Sequence, residues 1–143
     1  IARAAGADVC IDYRQSDVIA RVREATQGRG VDRVIEVDIA ANGAMNAELV
    51  CPGGLMAVYG SGNSPFALPF FPYIARNIAV QFYIVYNLSS EHRQAVTSQL
   101  QRWLSAGVLQ HAIAARVPLA EVARAHELVE SGKAIGNVVV DCR

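Results

Sequence analysis

Short apolar runs alternate with amphipathic stretches along this chain, and the hydrophobic period switches from strand-like to helix-like between them. IARAAG at the start is alanine-rich and ends in glycine, which predicts the last turns of a helix. Val9–Ile11 predicts a short strand leading to Asp12, Tyr13 and Arg14. Ser16 is a plausible N-cap for a helix from Asp17 to about Thr26, with Val18, Ile19 and Val22 on one face and Gly28 as its stop. Arg33–Val37 is apolar and β-branched, as a strand buried on both faces should be. A helix of small residues is predicted near Gly43–Val50, ending at Pro52-Gly53-Gly54. Leu55–Tyr59 then reads as another buried strand, closed by Gly60-Ser61-Gly62. Strand–helix–strand alternation of this kind predicts parallel βαβ units, an α/β fold with a doubly wound parallel sheet.

The pattern changes after Gly62. Ser64–Asn77 holds Pro65, Pro69 and Pro72 among phenylalanines and predicts a packed, irregular segment. Ile78–Tyr86 returns to strand character. Ser89 or Ser90 can cap a helix through Ser105, with Val96, Leu100, Trp103 and Leu104 on one stripe and Gly107 after it. Ala112–Val117 is a strand candidate. Pro118 opens the last helix, in which Val122, Ala125, His126 and Val129 share a face and Gly132 marks the end. Asn137–Asp141 closes the chain as a strand.

Composition narrows the function classes. A chain of 143 residues with 52% hydrophobic and 18% charged residues can bury a core of its own. Thirteen basic and thirteen acidic side chains balance, and neither sign is concentrated, so a nucleic-acid or anionic-membrane partner gains no support. No apolar run approaches a membrane span. Cys10, Cys51 and Cys142 lie far apart without metal-ligand spacing, which reads as reduced, buried cysteines in a cytoplasmic protein and no zinc site. His126 reads as a core or boundary histidine, and His92 and His111 as exposed. No catalytic residue can be named from spacing.

The stretches ARAAGADVCIDYR, GRGVDRVIEV, CPGGLMAVYGSG, RWLSAGVL and PLAEVARAHELVESGKAIGNVVV, in this order, resemble the C-terminal part of medium-chain dehydrogenase/reductases. Within that superfamily they resemble the zinc-free quinone oxidoreductase branch. The resemblance implies that residues 1–103 are the C-terminal portion of a dinucleotide-binding Rossmann domain. Residues 104–143 are then a segment returning to the catalytic domain. It also implies that the family's glycine-rich pyrophosphate turn lies upstream of Ile1.

The same resemblance implies a cofactor, NADPH, and places residues around it. Tyr13 matches a position beside the adenosine 2′-phosphate, where its hydroxyl could donate to a phosphate oxygen; Arg14 points to solvent or adds charge. Val37, Asp38 and Ile39 line the nicotinamide–ribose portion, and an acid there could accept from ribose hydroxyls. IAANG at Ile39–Gly43 departs from the family pattern and leaves the shape of that turn open. Gly60, Ser61 and Gly62 would let backbone amides meet the nicotinamide carboxamide. Asn63 and Phe66 border the substrate pocket. Glu36, a charge in an apolar strand, needs a partner if buried and reads as structural. The implied reaction is hydride transfer to a quinone or activated alkene, with no metal. The implied assembly is a homodimer paired through the strand Ala79–Tyr86, since a long apolar edge left open invites pairing. The alternative is a non-catalytic, truncated reductase-like module that binds nucleotide weakly or only dimerises.

Overall fold

The computed structural model describes all of residues 1–143. The chain forms two compact units: Val9–Arg93, and Ile1–Asp8 together with Gln94–Arg143.

In the first unit, α1 (Val18–Ala25) precedes β1 (Val31–Glu36), α2 (Ile39–Leu49), β2 (Val50–Val58), α3 (Phe70–Ala75) and β3 (Ala79–Phe82). The three strands form one parallel sheet in the order β1-β2-β3. Val34 lies opposite Met56, which lies opposite Val80. Parallel neighbours need crossovers, and α2 and α3 supply them. The core comprises Ile39 and Ala47 from α2, Met56 and Val58 from β2, and Tyr73 from α3. Val34, Leu68, Ile78 and Val80 pack against it.

Several boundaries differ from the sequence pattern, each for a local reason. Val9–Ile11 is not a strand, because no neighbouring strand offers it a ladder. Asp17, not Ser16, caps α1: its carboxylate accepts from the Ala20 amide at 3.1 Å. The helix ends at a Thr26 cap, before Gln27 and Gly28 take positive φ. Helix α2 begins at Ile39 rather than near Gly43, since Asp38 caps it through the Ala41 amide. IAANG is therefore the opening of a helix, and Gly43 sits inside it where a Cβ would come within 2.4 Å of the Leu68 side chain.

Pro52-Gly53-Gly54 does not end a helix. It is a bulge within β2, where the pairing slips between Val31–Val50 and Arg33–Leu55. Gly53 adopts φ +74° there and donates to the Arg76 carbonyl at 2.8 Å. The proline-rich segment contains a helix, α3, where irregular structure was expected. β1 is buried on one face only: Glu36 faces the core while Ile35 is 71% exposed. β3 is shorter than Ile78–Tyr86. β2 ends at Val58, whose carbonyl takes the Tyr83 amide at 3.0 Å, and with no further neighbour the chain turns through Val85–Asn87.

In the second unit, Ile1–Asp8 forms turns rather than a regular helix. α4 (Ser90–Ser105), whose first residues close the preceding unit, is capped by Ser89, which accepts from the His92 amide. Its apolar stripe of Val96, Leu100, Trp103 and Leu104 is exposed. β4 (Ile113–Pro118) and β5 (Asn137–Asp141) pair in parallel, joined by α5 (Val122–Glu130). Pro118 ends β4, and a 3-10 turn at Leu119–Glu121 intervenes before α5. Val117 and Ala125 are buried between strand and helix, whereas His126 is exposed, as are His92 and His111. Of the cysteines only Cys51 is buried; Cys10 and Cys142 are exposed because neither lies in a covered strand.

Candidate cofactor crevice

The carboxyl ends of β1, β2 and β3 converge on one side of the first unit, where open parallel sheets bind ligands. The β1 end continues into Val37 and Asp38, the β2 end into Tyr59–Gly62, and the β3 end into Tyr83 and Ile84. Between the last two lies a cavity of about 610 Å³, walled by Ile39, Val58, Phe66, Phe82 and Ile84, with Gly60 and Ser61 at its edge. The lining is apolar and aromatic, as small-molecule and cofactor sites commonly are.

Close approach of two turns sets the shape of that edge. The Ile39 amide donates to the Gly60 carbonyl at 3.3 Å, and the Tyr59 amide to the Glu36 carbonyl at 3.0 Å. A Cβ at Gly60 would stand 2.2 Å from the Val37 carbonyl oxygen, so only glycine fits. Asp38 Oδ1 accepts from Gly62 N at 2.7 Å and from Ala41 N at 3.3 Å, tying the β2 turn to the first turn of α2. A side chain at Gly62 would press on the same carboxylate. The amides of Gly60 and Ser61 donate to no protein acceptor, and Asp38 Oδ2 accepts from no protein donor.

Beneath this rim, Glu36 is 4% exposed and Asn46 3%. Glu36 Oε1 accepts from Asp38 N at 2.5 Å and Asn42 Nδ2 at 3.0 Å, and Oε2 accepts from Asn46 Nδ2. The partners that a buried charge in β1 requires are thus amide donors, not a cation. Tyr73 donates to the Gly43 carbonyl at 2.8 Å. Burial, and after it the Glu36 charge, raises its phenol above the usual tyrosine range.

Ile39, Gly60 and Ser61 therefore meet at the cavity, and Asp38 and Gly62 hold its rim through their mutual hydrogen bond. Val37 is exposed at the end of β1. Tyr13 does not line the cavity; it is 72% exposed in a turn, with the Arg14 guanidinium 5.6 Å from its ring centre. Of the two residues expected at a substrate pocket, Phe66 lines the cavity and Asn63 does not. Phe82, Tyr83, Ile84, Asn87 and Leu88 also line it, and nothing in an apolar strand pattern distinguishes pocket walls from core.

An open parallel sheet with helical crossovers and a glycine-edged crevice at its carboxyl ends is a Rossmann-like α/β architecture. The zinc-binding dehydrogenase family matches residues 5–140, and the chain belongs to that family. A quinone oxidoreductase from Lama guanicoe is 26% identical over 136 residues, which are 94% of this chain and 41% of that protein. An alcohol dehydrogenase from Cupriavidus necator is 36% identical over 76 residues, 52% of this chain and 21% of that one. Among solved structures, an NAD-dependent alcohol dehydrogenase superposes with a TM-score of 0.82 at 27% identity, covering 99% of this chain and 40% of that one. A mycobacterial protein complexed with NADPH superposes at 0.78 with 26% identity, covering 96% and 45%. The chain thus spans about two fifths of the length of the quinone oxidoreductases it matches. Zinc, named in the family description, does not fit the residues present: no three His, Cys, Asp or Glu side chains are grouped to hold a metal ion.

Proposed function

We infer that this chain is part of an NADPH-dependent oxidoreductase of the cytoplasm that transfers hydride to a quinone or an activated alkene. The observation that carries the reading is the Gly60 edge of the crevice, where a Cβ is sterically forbidden and two backbone amides are free of protein acceptors. A nicotinamide fits that chemistry. Its carboxamide oxygen would accept from the Gly60 and Ser61 amides, while Asp38 Oδ2 would accept from a ribose hydroxyl. Ile39, Val58 and Phe66 would exclude water from the face of the ring. When bound, the reduced nicotinamide supplies the hydride; the chain's own residues bind, orient and desolvate.

In this reading the exposed Tyr13 meets the adenosine 2′-phosphate with its hydroxyl, which favours NADPH over NADH. The similarity to quinone oxidoreductases supports the acceptor class. The open edge of β3 supports a homodimer paired through Ala79–Phe82 and the residues following to Tyr86.

Fluorescence titration of the purified chain with NADPH and with NADH tests this. The wild type should saturate with both, more tightly with NADPH, and Tyr13→Phe should weaken NADPH about three- to tenfold while leaving NADH unchanged. Saturation by neither cofactor would overturn the reading and leave a module that only dimerises.

A further inference from the structure

Glu36 is the most deeply buried acid of the first unit, and the hydride transfer proposed above does not use it. Its position gives it another task. It is the last residue of β1, buried opposite Val58, where an ionised group is costly unless its acceptor sites are filled. They are filled from one direction. Asn42 and Asn46 stand four residues apart on α2, so both amides fall on the same helical face and converge on the carboxylate. The remaining donor is the backbone amide of Asp38, two residues along the chain. The carboxylate therefore fixes the strand end, the cap residue and the α2 face relative to one another.

From there a second carboxylate continues the chain of contacts. Asp38, held at its own amide by Glu36, reaches with Oδ1 to the Gly62 amide. The sequence of contacts is α2 amides, Glu36, Asp38 amide, Asp38 carboxylate, Gly62 amide. It ends on the glycine turn whose two preceding amides, Gly60 and Ser61, are free. We propose that Glu36 is a positioning residue: through Asp38 it sets the conformation of the Gly60–Gly62 turn and so the aim of the free amides into the crevice. The inference rests on the nicotinamide reading for its consequence, but its mechanism is readable in the chain without any ligand.

If the role is geometric, what matters is the reach of the side chain from β1 to the Asp38 amide. Glu36→Gln keeps that reach and an acceptor oxygen, and the Asn46 amide can turn to offer its own oxygen to the new NH₂ group. Glu36→Asp keeps the charge but withdraws it by one methylene. A role resting on charge predicts that Asp is tolerated and Gln is not; positioning predicts the reverse.

The experiment is amide hydrogen exchange followed by NMR on the ligand-free chain, reading Gly62 against Ser61 and against Met56 within β2. In the wild type Gly62 should exchange more slowly than Ser61, because Gly62 has an acceptor and Ser61 has none. Glu36→Asp and Asp38→Ala should each accelerate Gly62 by about five- to tenfold, the effect of losing one hydrogen bond, and leave Met56 unchanged. Glu36→Gln should restore the wild-type rate. Gly62 unchanged in Asp38→Ala or in Glu36→Asp, or Met56 accelerating in step with Gly62, would overturn the proposal. NADPH titration of the same variants reads the consequence: Glu36→Asp should weaken binding about five- to tenfold and Glu36→Gln should not. Equal weakening by both would also overturn it. A wild type that binds no NADPH counts against the cofactor reading alone, since Gly62 exchange reports on positioning independently.

Discussion

Gly60 and Tyr73 show how single residues hold the crevice in place. At Gly60 the neighbouring Val37 carbonyl leaves no room for a Cβ, and that oxygen is backbone, which cannot swing aside. Gly60→Ala should cost about 2 kcal/mol in urea-induced unfolding, in the range of overpacked core substitutions. Tyr73 is held by its hydrogen bond to Gly43, so Tyr73→Phe should cost about 1 kcal/mol. It also has a pH signature. Because its folded pKa is raised, its contribution is complete below the ordinary tyrosine value of 10.0 and is lost as pH rises from there through the folded value. Alkaline unfolding should therefore be steeper in the wild type than in Tyr73→Phe. That Glu36 would need partners was legible in the sequence, since a charge in an apolar strand cannot stay buried alone. Which partners it has was not: Asn42 and Asn46 become its donors only once α2 starts at Ile39.

At the scale of elements, parallel pairing and crossover logic were legible because apolar runs and glycine stops carry them directly. Boundaries were less so. α2 opens with alanines that give no amphipathic signal, and nothing in the sequence separates Asp38 as a helix cap from Asp38 as a ligand contact. The bulge at Pro52-Gly53-Gly54 reads locally as a helix stop because nothing in the sequence reveals the register slip against β1. Capping can be tested in isolation: Asp17→Ala should destabilise the first unit by about 1 kcal/mol in thermal or urea unfolding. β3 leaves one edge of its sheet without a neighbour. If a second copy occupies that edge, Gln81→Lys puts a charge from each copy into the seam. Sedimentation equilibrium should then show dimerisation weakened at least tenfold relative to wild type; an unchanged dimer constant would remove β3 from the interface.

For the whole molecule, the two units differ in what gathers at their strand ends. The β4–α5–β5 unit shows how a parallel pair closes over one helix, with Val117 and Ala125 buried between strand and helix. The crevice lies entirely within Val9–Arg93, at strand ends that the glycine pattern marked out beforehand. Phe82, Tyr83 and Ile84 of its wall were not marked, since they read as strand until β2 runs out beside them. The central claim is that this crevice receives the nicotinamide end of a dinucleotide. The most direct test is an NMR titration of the isotopically labelled chain with NADPH, following every backbone amide. Saturable shifts concentrated at Ile39, Gly60, Ser61 and Gly62, with a second group at Tyr13, are the predicted result. Shifts confined to residues of the β4–β5 unit, or none up to millimolar cofactor (about the weakest binding such a half-site should show), would contradict it.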